Sequence, residues 1–436
     1  MTYKIGLDIG TTATKACAFN DAGEMIGMAE RGYDLLHPEP GAAEQNPEAV
    51  FSAAEAALAE LVRKTDGEPA SVGLSCPMHS LLLLDADHAP LGNVLTWAEA
   101  RPQDAMEGFR AGERADLHEL TGTPVHPMSP LVKLRWLAKC YPERLEAAAY
   151  VSDLKSALVL RWSTNGLLID EQLASATGLM DLETSKWAEV ALQKAGITTD
   201  QLPEIRPAAT ELSWRKSVAG KLGLSGVPLY LGGSDGVLAN LGSGIMECGE
   251  VALSIGTSGA LRTTHTQARV DPKLGLFNYK MKDGLYVIGG PTNNGGKVLA
   301  YWQNLLSAHF ADVGAFIDGA MTVATEDAPD FGPWLYGERA PLWDASATAS
   351  LTGLRGHHQP AHIARAVLDG VTDNLVVILR SLEEVVGPAE RILGSGGFTK
   401  SPEWVKLIAE RSGREVVIAD AAQASAYGAA LVGEWA

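Results

Sequence analysis

Apolar and polar positions alternate from the start of the chain. Ile5, Leu7 and Ile9 mark a first strand, and a second apolar run follows at Ala16, Ala18 and Phe19. Small and hydroxyl residues fill the space between, so 8–15 reads as a tight strand-turn-strand. Asp21-Ala22-Gly23 is a hairpin loop leading to a third strand over 25–29, which makes 4–29 an antiparallel meander. Asn46 ahead of Pro47 is a helix-start signal, and the alanine-rich run over 49–64 continues that helix. A strand over 71–74 ends at Ser75-Cys76-Pro77-Met78-His79-Ser80, before the apolar run 81–84. In an open α/β sheet, strand ends of this kind line the ligand crevice.

The opening pattern returns in the middle of the chain. An alternating strand over 250–255 runs into Gly256-Thr257-Ser258-Gly259, then into a strand through Ala260, Leu261 and Arg262. Two turns of one form predict a duplicated fold. A strand over 228–231 opens the second half, which places the boundary near Gly232 and the domains at 1–231 and 232–436. Residues 104–182 read as an elaboration of the first half, with a proline-punctuated loop at 121–130, a helical run at 131–140 and a polar loop at 170–178. Later helices over 297–306 and 404–412 each follow a glycine cluster. A long amphipathic helix over 360–386 is expected at the domain interface.

Composition narrows the class. The 436 residues are 46% hydrophobic, with a mean hydropathy of +0.02, and no apolar run approaches the roughly 20 residues of a membrane span. A formal charge of −18 opposes nucleic acid and anionic membranes as partners, so any anionic ligand must meet local cations. The start runs straight into a strand without a signal-peptide pattern, and Cys17, Cys76, Cys140 and Cys248 form no metal-spaced pair. A reducing, cytoplasmic setting is expected, with the cysteines as buried small hydrophobes. Oligomeric state is not legible; a homodimer is compatible.

Candidate chemistry concentrates at the two turns and at strand ends. In Asp8-Ile9-Gly10-Thr11-Thr12-Ala13-Thr14-Lys15, Gly10 lets backbone amides approach an anion, threonine hydroxyls add donors and Lys15 adds charge. Asp8 can hold a magnesium ion directly or through water, whereas its counterpart in the second turn is Ser254. Two such hairpins facing each other would clamp a nucleoside triphosphate. Met78-His79 suits either a ligand wall or packing against a neighbouring domain. Trp97, Glu99 and Arg101 combine an aromatic face, a carboxylate and a guanidinium, a mixture suited to a polyhydroxylated ligand or to a surface ion pair. Asp235, flanked by glycines at a strand end, fits a general base and also a helix N-cap. The clusters at 289–296 and 394–398 would bring backbone close to a nucleotide, with tight packing turns as the alternative. Glu338-Arg339 reads as an internal salt bridge.

Taken together these motifs resemble the carbohydrate kinases of the FGGY family over essentially the whole chain. The most specific pieces resemble gluconate kinases: Gln45-Asn46-Pro47, Pro77-Met78-His79, Thr96-Trp97, His126-Pro127-Met128, Ser234-Asp235-Gly236 and Gly337-Glu338-Arg339-Ala340-Pro341. The resemblance implies an α/β, two-domain, actin-like (ribonuclease H-like) ATPase fold that transfers phosphate from Mg2+-ATP to a primary hydroxyl of a sugar or sugar acid. It implies Asp8 for magnesium, and Thr11, Thr12, Lys15, Gly256 and Thr257 for the phosphates. Gly296, Ser395, Gly396, Gly397 and Phe398 would lie along the nucleoside, Met78, His79, Trp97, Glu99 and Arg101 would touch substrate, and Asp235 would be the base. If the substrate is gluconate, Arg101, Lys133 or Lys155 could meet its carboxylate. Glu99 stands where these kinases usually show Asp, and Gln423 where an acid is expected. A kinase for a ketopentose or polyol is the rival within the class, and a nucleotide switch or sugar sensor the rival outside it.

Overall fold

The computed structural model describes residues 2–244, 249–419 and 423–435, so Cys248 and Ala421 lie outside the described residues. The first sheet begins with the expected meander: β1 (Thr2–Ile9), β2 (Ala13–Phe19) and β3 (Met25–Gly32) pair antiparallel in sequence order. Helix α1 (Pro47–Lys64) starts where Asn46 accepts a 3.1 Å hydrogen bond from the Ala49 amide. It buries Val50, Phe51, Ala54, Leu58 and Leu61 against that sheet. β4 (Glu68–Cys76) then lies parallel to β1, and β5 (Leu229–Ser234) parallel to β4. Helix α2 (Asp235–Gly242) follows at once.

The second sheet repeats this order. β6 (Glu250–Ile255) and β7 (Gly259–His265) form the central hairpin, flanked by β8 (Phe277–Lys282) and β9 (Leu285–Thr292), and α3 (Gly296–Leu305) follows. Helix α4 (Pro360–Val386) precedes β10 (Arg391–Gly396), then α5 (Pro402–Ser412) and β11 (Glu415–Ile418) complete the sheet. An antiparallel trio and two parallel strands thus recur as β3-β2-β1-β4-β5 and β9-β7-β6-β10-β11. The register agrees on the parallel side, whereas the first turn is one residue longer than the second. Asp8 pairs with Lys15 on one side and Ser75 on the other, and Ser254 pairs with Ala260 and Ser395.

Three expectations differ from the structure. The boundary expected near Gly232 falls inside β5, where Gly232 has φ of +71° and a Cβ would stand 1.8 Å from the Leu74 carbonyl oxygen. Helix α4 is a core helix of the second lobe, burying Val367, Val371, Leu375, Ile378 and Leu382 among that lobe's strands, and not an interface helix. Cys140 is exposed, while Cys17 and Cys76 are buried as expected. The chain's late helix α6 (Ala424–Leu431) leaves the second lobe and packs on β1 and β4 of the first. Glycine permits this: a Cβ on Gly6 would lie 1.7 Å from Ala426 O, and one on Gly73 1.9 Å from Ala429 O.

The lobes meet through an apolar cluster of Val237, Leu238 and Leu241 from α2, Phe277, Tyr279 and Met281 from β8, and Ala429 from α6. Gln172 bridges them with polar bonds, accepting from the Ser234 amide and donating to the Met281 carbonyl, both at 3.0 Å. Among the described residues no helix is long and apolar enough to cross a membrane.

Candidate active site

Each central hairpin delivers its turn to the same cleft. In the first, the Gly10 amide donates to the Ala13 carbonyl at 2.8 Å, and a Cβ on Gly10 would stand 2.8 Å from that oxygen. The turn is held from outside: Gln45 donates to the Gly10 and Thr11 carbonyls at 3.2 and 2.8 Å, and the Tyr33 hydroxyl to the Gly10 carbonyl at 2.7 Å. In the second, the Gly256 amide donates to the Ser258 carbonyl at 2.9 Å, and the Gly296 amide at the head of α3 donates to Gly256 O at the same distance. Nothing lies within 4 Å of a Cβ built on Gly256, so this turn leaves open room for an anion.

Asp8 projects from β1 into a cavity of about 330 Å³ that it lines with Lys15, Ser254, Arg262, Ser395 and Gln423. Burial pushes its carboxyl above the ordinary carboxylate range, and the Ser75 hydroxyl, donating at 2.8 Å, and the Lys15 charge only partly offset this. A buried carboxylate short of positive charge fits a cation. Among the described residues no three metal-ligating side chains cluster, so a cation at Asp8 would need oxygens from a bound phosphate or water.

The adjoining cavity, about 370 Å³, shares Ser254 and Arg262 with the first and is lined by Thr11, Met78, His79, Trp97, Asp235, Gly256, Thr257, Tyr279 and Arg339. Asp8 and Asp235 therefore face one continuous cleft. The N-cap of α2 is Ser234, whose hydroxyl accepts from the Val237 amide at 3.4 Å. Asp235 is the helix's first residue, so its carboxylate is not spent on capping. Burial, and after it the charge of Asp8, raises that carboxyl to about 6, while Arg262 and the amides of Gly236 and Met78 pull it back. A group poised there accepts protons near neutrality.

The wall beside Asp235 is tightly positioned. His79 has φ of +67°, a left-handed conformation that costs a non-glycine residue energy and that its contacts over-determine. Its Nδ1 donates to the Ala176 carbonyl at 2.7 Å, which leaves Nε2 to face the Tyr279 hydroxyl at 3.4 Å. Burial first, then Lys133, pulls the imidazole down to about 3, so it stays neutral. Trp97 donates through Nε1 to the Thr11 hydroxyl at 3.2 Å, tying this wall to the Gly10 turn.

Several expected residues lie elsewhere. Arg101 is held by Glu39, Glu44 and Glu99, with Nε 2.7 Å from Glu99, so neither Arg101 nor the buried Glu99 lines the cleft. Lys133 is buried and donates to the carbonyls of His79 at 2.5 Å and Thr96 at 2.6 Å, with burial lowering its ammonium to about 7. Lys155 forms a buried ion pair with Asp170 at 2.6 Å. All three expected carboxylate cations are thus occupied. Thr12 is exposed beyond the cleft lining, with its carbonyl accepting from the Tyr33 amide at 2.9 Å. Phe398 is buried against Trp404 in the second core; of its neighbours Ser395 lines the Asp8 cavity, while Gly396 and Gly397 are exposed. Gly396 has φ of +96°, and a Cβ there would lie 2.5 Å from Ile255 O. Gln423 lines the first cavity at φ +60°.

Arg339, read from sequence as half of a salt bridge, is instead a cleft residue. Glu338 spends its carboxylate on the Thr292 hydroxyl, the Asn293 amide and the side chains of Asn294 and Asn374. The Arg339 guanidinium lies 5.5 Å from the Trp97 ring centroid. Arg262 and Tyr279 were also missed. The alternation of β7 places Arg262 on the same face as Ala260, a signal present in the sequence; Tyr279 had none.

Two family models cover the chain: the FGGY family of carbohydrate kinases, N-terminal domain, over 3–242, and its C-terminal domain over 251–436. The gluconokinase of Bacillus subtilis (strain 168) is 36% identical over 453 residues, covering 100% of this chain and 88% of the relative. Among solved structures, gluconate kinase from Lactobacillus acidophilus superposes with a TM-score of 0.94 at 32% identity, covering 99% of this chain and 89% of its own. Ligand-bound xylulose kinase from the same organism gives 0.94 at 33%, covering 100% and 89%.

Proposed function

The chain belongs to the FGGY family of carbohydrate kinases and is a sugar phosphotransferase, and from that premise we propose that it phosphorylates the primary hydroxyl of D-gluconate with ATP. The observation that carries this reading is the continuity of the cleft: the Asp8 cavity and the Asp235 cavity share Ser254 and Arg262. Similarity to gluconokinase over the whole chain supports the acid over a ketopentose.

Asp235 takes the proton of the hydroxyl as its oxygen attacks the γ-phosphorus in line. A new oxygen–phosphorus bond forms, the bond to the bridging oxygen breaks, and ADP leaves with the electron pair. The amides at the Gly10 and Gly256 turns, the Thr11 and Thr257 hydroxyls and Lys15 hold the phosphates, with Gly296, Ser395, Gly396 and Gly397 along the nucleoside. Asp8 would hold magnesium, which when bound neutralises charge on the triphosphate. Met78, His79 and Trp97 position the carbon chain, and the neutral His79 ring offers a hydrogen bond without competing for the Asp235 proton. An ATP-coupled assay across sugar acids, polyols and ketoses tests the assignment. Gluconate should give the highest kcat/KM; turnover confined to ketoses would overturn it.

A further inference from the structure

The cleft wall carries two guanidiniums that the phosphotransfer scheme does not use. Arg262 and Arg339 both line the Asp235 cavity, and the Nε of each lacks a hydrogen-bond partner among the described residues. Arg339 makes one bond, from Nη2 to the Thr292 carbonyl at 3.2 Å. Its sequence neighbour Glu338 is spent elsewhere. Arg262 stands at the head of α2, with Nε 3.6 Å from where a Cβ on Gly236 would be. Asp235 is the one carboxylate among the residues lining this cavity, and Glu338 adds its charge to Arg339 from outside that lining. The two arginines also feel each other: burial and then Glu338, Arg262 and Tyr279 set the Arg339 guanidinium at about 10, with Arg262 among the groups that lower it. Like charges side by side in a half-buried cleft are costly unless an anion joins them.

Resting on the sugar-acid reading above, we propose that Arg262 and Arg339 are the seat for the substrate's carboxylate and give the cleft its preference for sugar acids over neutral sugars. A planar guanidinium matches a carboxylate with two parallel hydrogen bonds, and the free Nε edges supply the donors. Arg339 over Trp97 sits on the sugar side, whereas Arg262 also borders the Asp8 cavity and faces the phosphate route. The same charge could therefore serve the γ-phosphate, and the test separates the two.

The probes are D-gluconate and D-gluconamide, which differ only at the terminal group, an anionic two-oxygen acceptor in one and a neutral amide in the other. Binding to the wild-type chain is followed by tryptophan fluorescence and turnover by the coupled assay. The wild type should prefer the acid by on the order of 10²-fold, the range of a charged hydrogen bond. In Arg339→Met and in Arg262→Met that preference should fall below tenfold, with Arg339→Lys between. Thermal midpoints and ATP affinity establish that each variant folds, and the wild-type comparison of acid with amide stands whatever the variants do. A preference that survives in both variants overturns the proposal, as does a loss confined to the KM for ATP, which would mark a phosphate seat. If the wild type phosphorylates xylulose and no sugar acid, the substrate reading itself fails, a result distinct from acid turnover with arginine-independent preference.

Discussion

The turn at Gly10 and the turn at Gly256 occupy equivalent places in their sheets, yet only the first carries an acid. Asp8 and Ser254 each sit on the first strand of their hairpin, and each touches a serine on the parallel neighbour: Ser75 at 2.8 Å and Ser395 at 2.7 Å. On this duplicated frame Asp8 faces Lys15 where Ser254 faces Ala260, so the first wall carries both an acid and a cation and the second neither. Backbone room differs too, since Gly10 is crowded by Ala13 and Gly256 is open. Duplication supplied the scaffold, and divergence at a few positions supplied the division of labour.

The sharpest way to break the contrast is to make the first turn like the second. Asp8→Ser should lower kcat by about 10³-fold with sugar binding retained, read by coupled assay and fluorescence titration. Asp235→Asn, on the wall both turns face, should cost kcat a factor of about 10²–10⁴. Its pH dependence has a definite sign. The Asp235 carboxyl is raised to about 6, so kcat/KM of the wild type should fall as pH drops through that value. The same shift means this group's contribution to stability is full below pH ~4 and lost as pH rises through about 6. Asp235→Asn should therefore raise the unfolding free energy at pH 8 by about 3 kcal/mol, with the gap closing toward pH 4. The converse swap, Ser254→Asp, places a second acid on the phosphate route and should raise the KM for ATP about tenfold, one unit of repulsion. Smallest is the glycine pair: Gly10→Ala should destabilise by roughly 1–3 kcal/mol in denaturant melts, and Gly256→Ala by far less. If the two melts agree, the difference in backbone room is not real.

Much of this arrangement was legible in the sequence. Period-two alternation around Gly10 and Gly256 announced both hairpins, and their likeness announced the duplication, because strand patterns and glycine turns are local. The place of Asp235 on the cleft was legible for the same reason, from its position at a strand end. What escaped depends on contacts distant in sequence. Arg101 beside Glu99 and Trp97 looked like a ligand group, but Glu39 and Glu44 claim it. Lys133 on its helix looked like a free cation, but carbonyls from two loops surround it. Arg339 erred in the opposite direction, because Glu338 turns to Thr292 and Asn374 instead. Adjacency in sequence predicts an ion pair only when nothing else competes for the partners.

The seating of Ala424–Leu431 against Gly6 and Gly73 couples the two extremes of the described chain, roughly 420 residues apart. The opening strands can leave the ribosome and pair early, yet their sheet stays bare on one side until that late segment has been synthesised. Vectorial synthesis thus holds the earlier-made lobe open longest, and the growing polypeptide must shield Cys17 and Phe19 from its neighbours until Ala426 and Ala430 arrive to cover them.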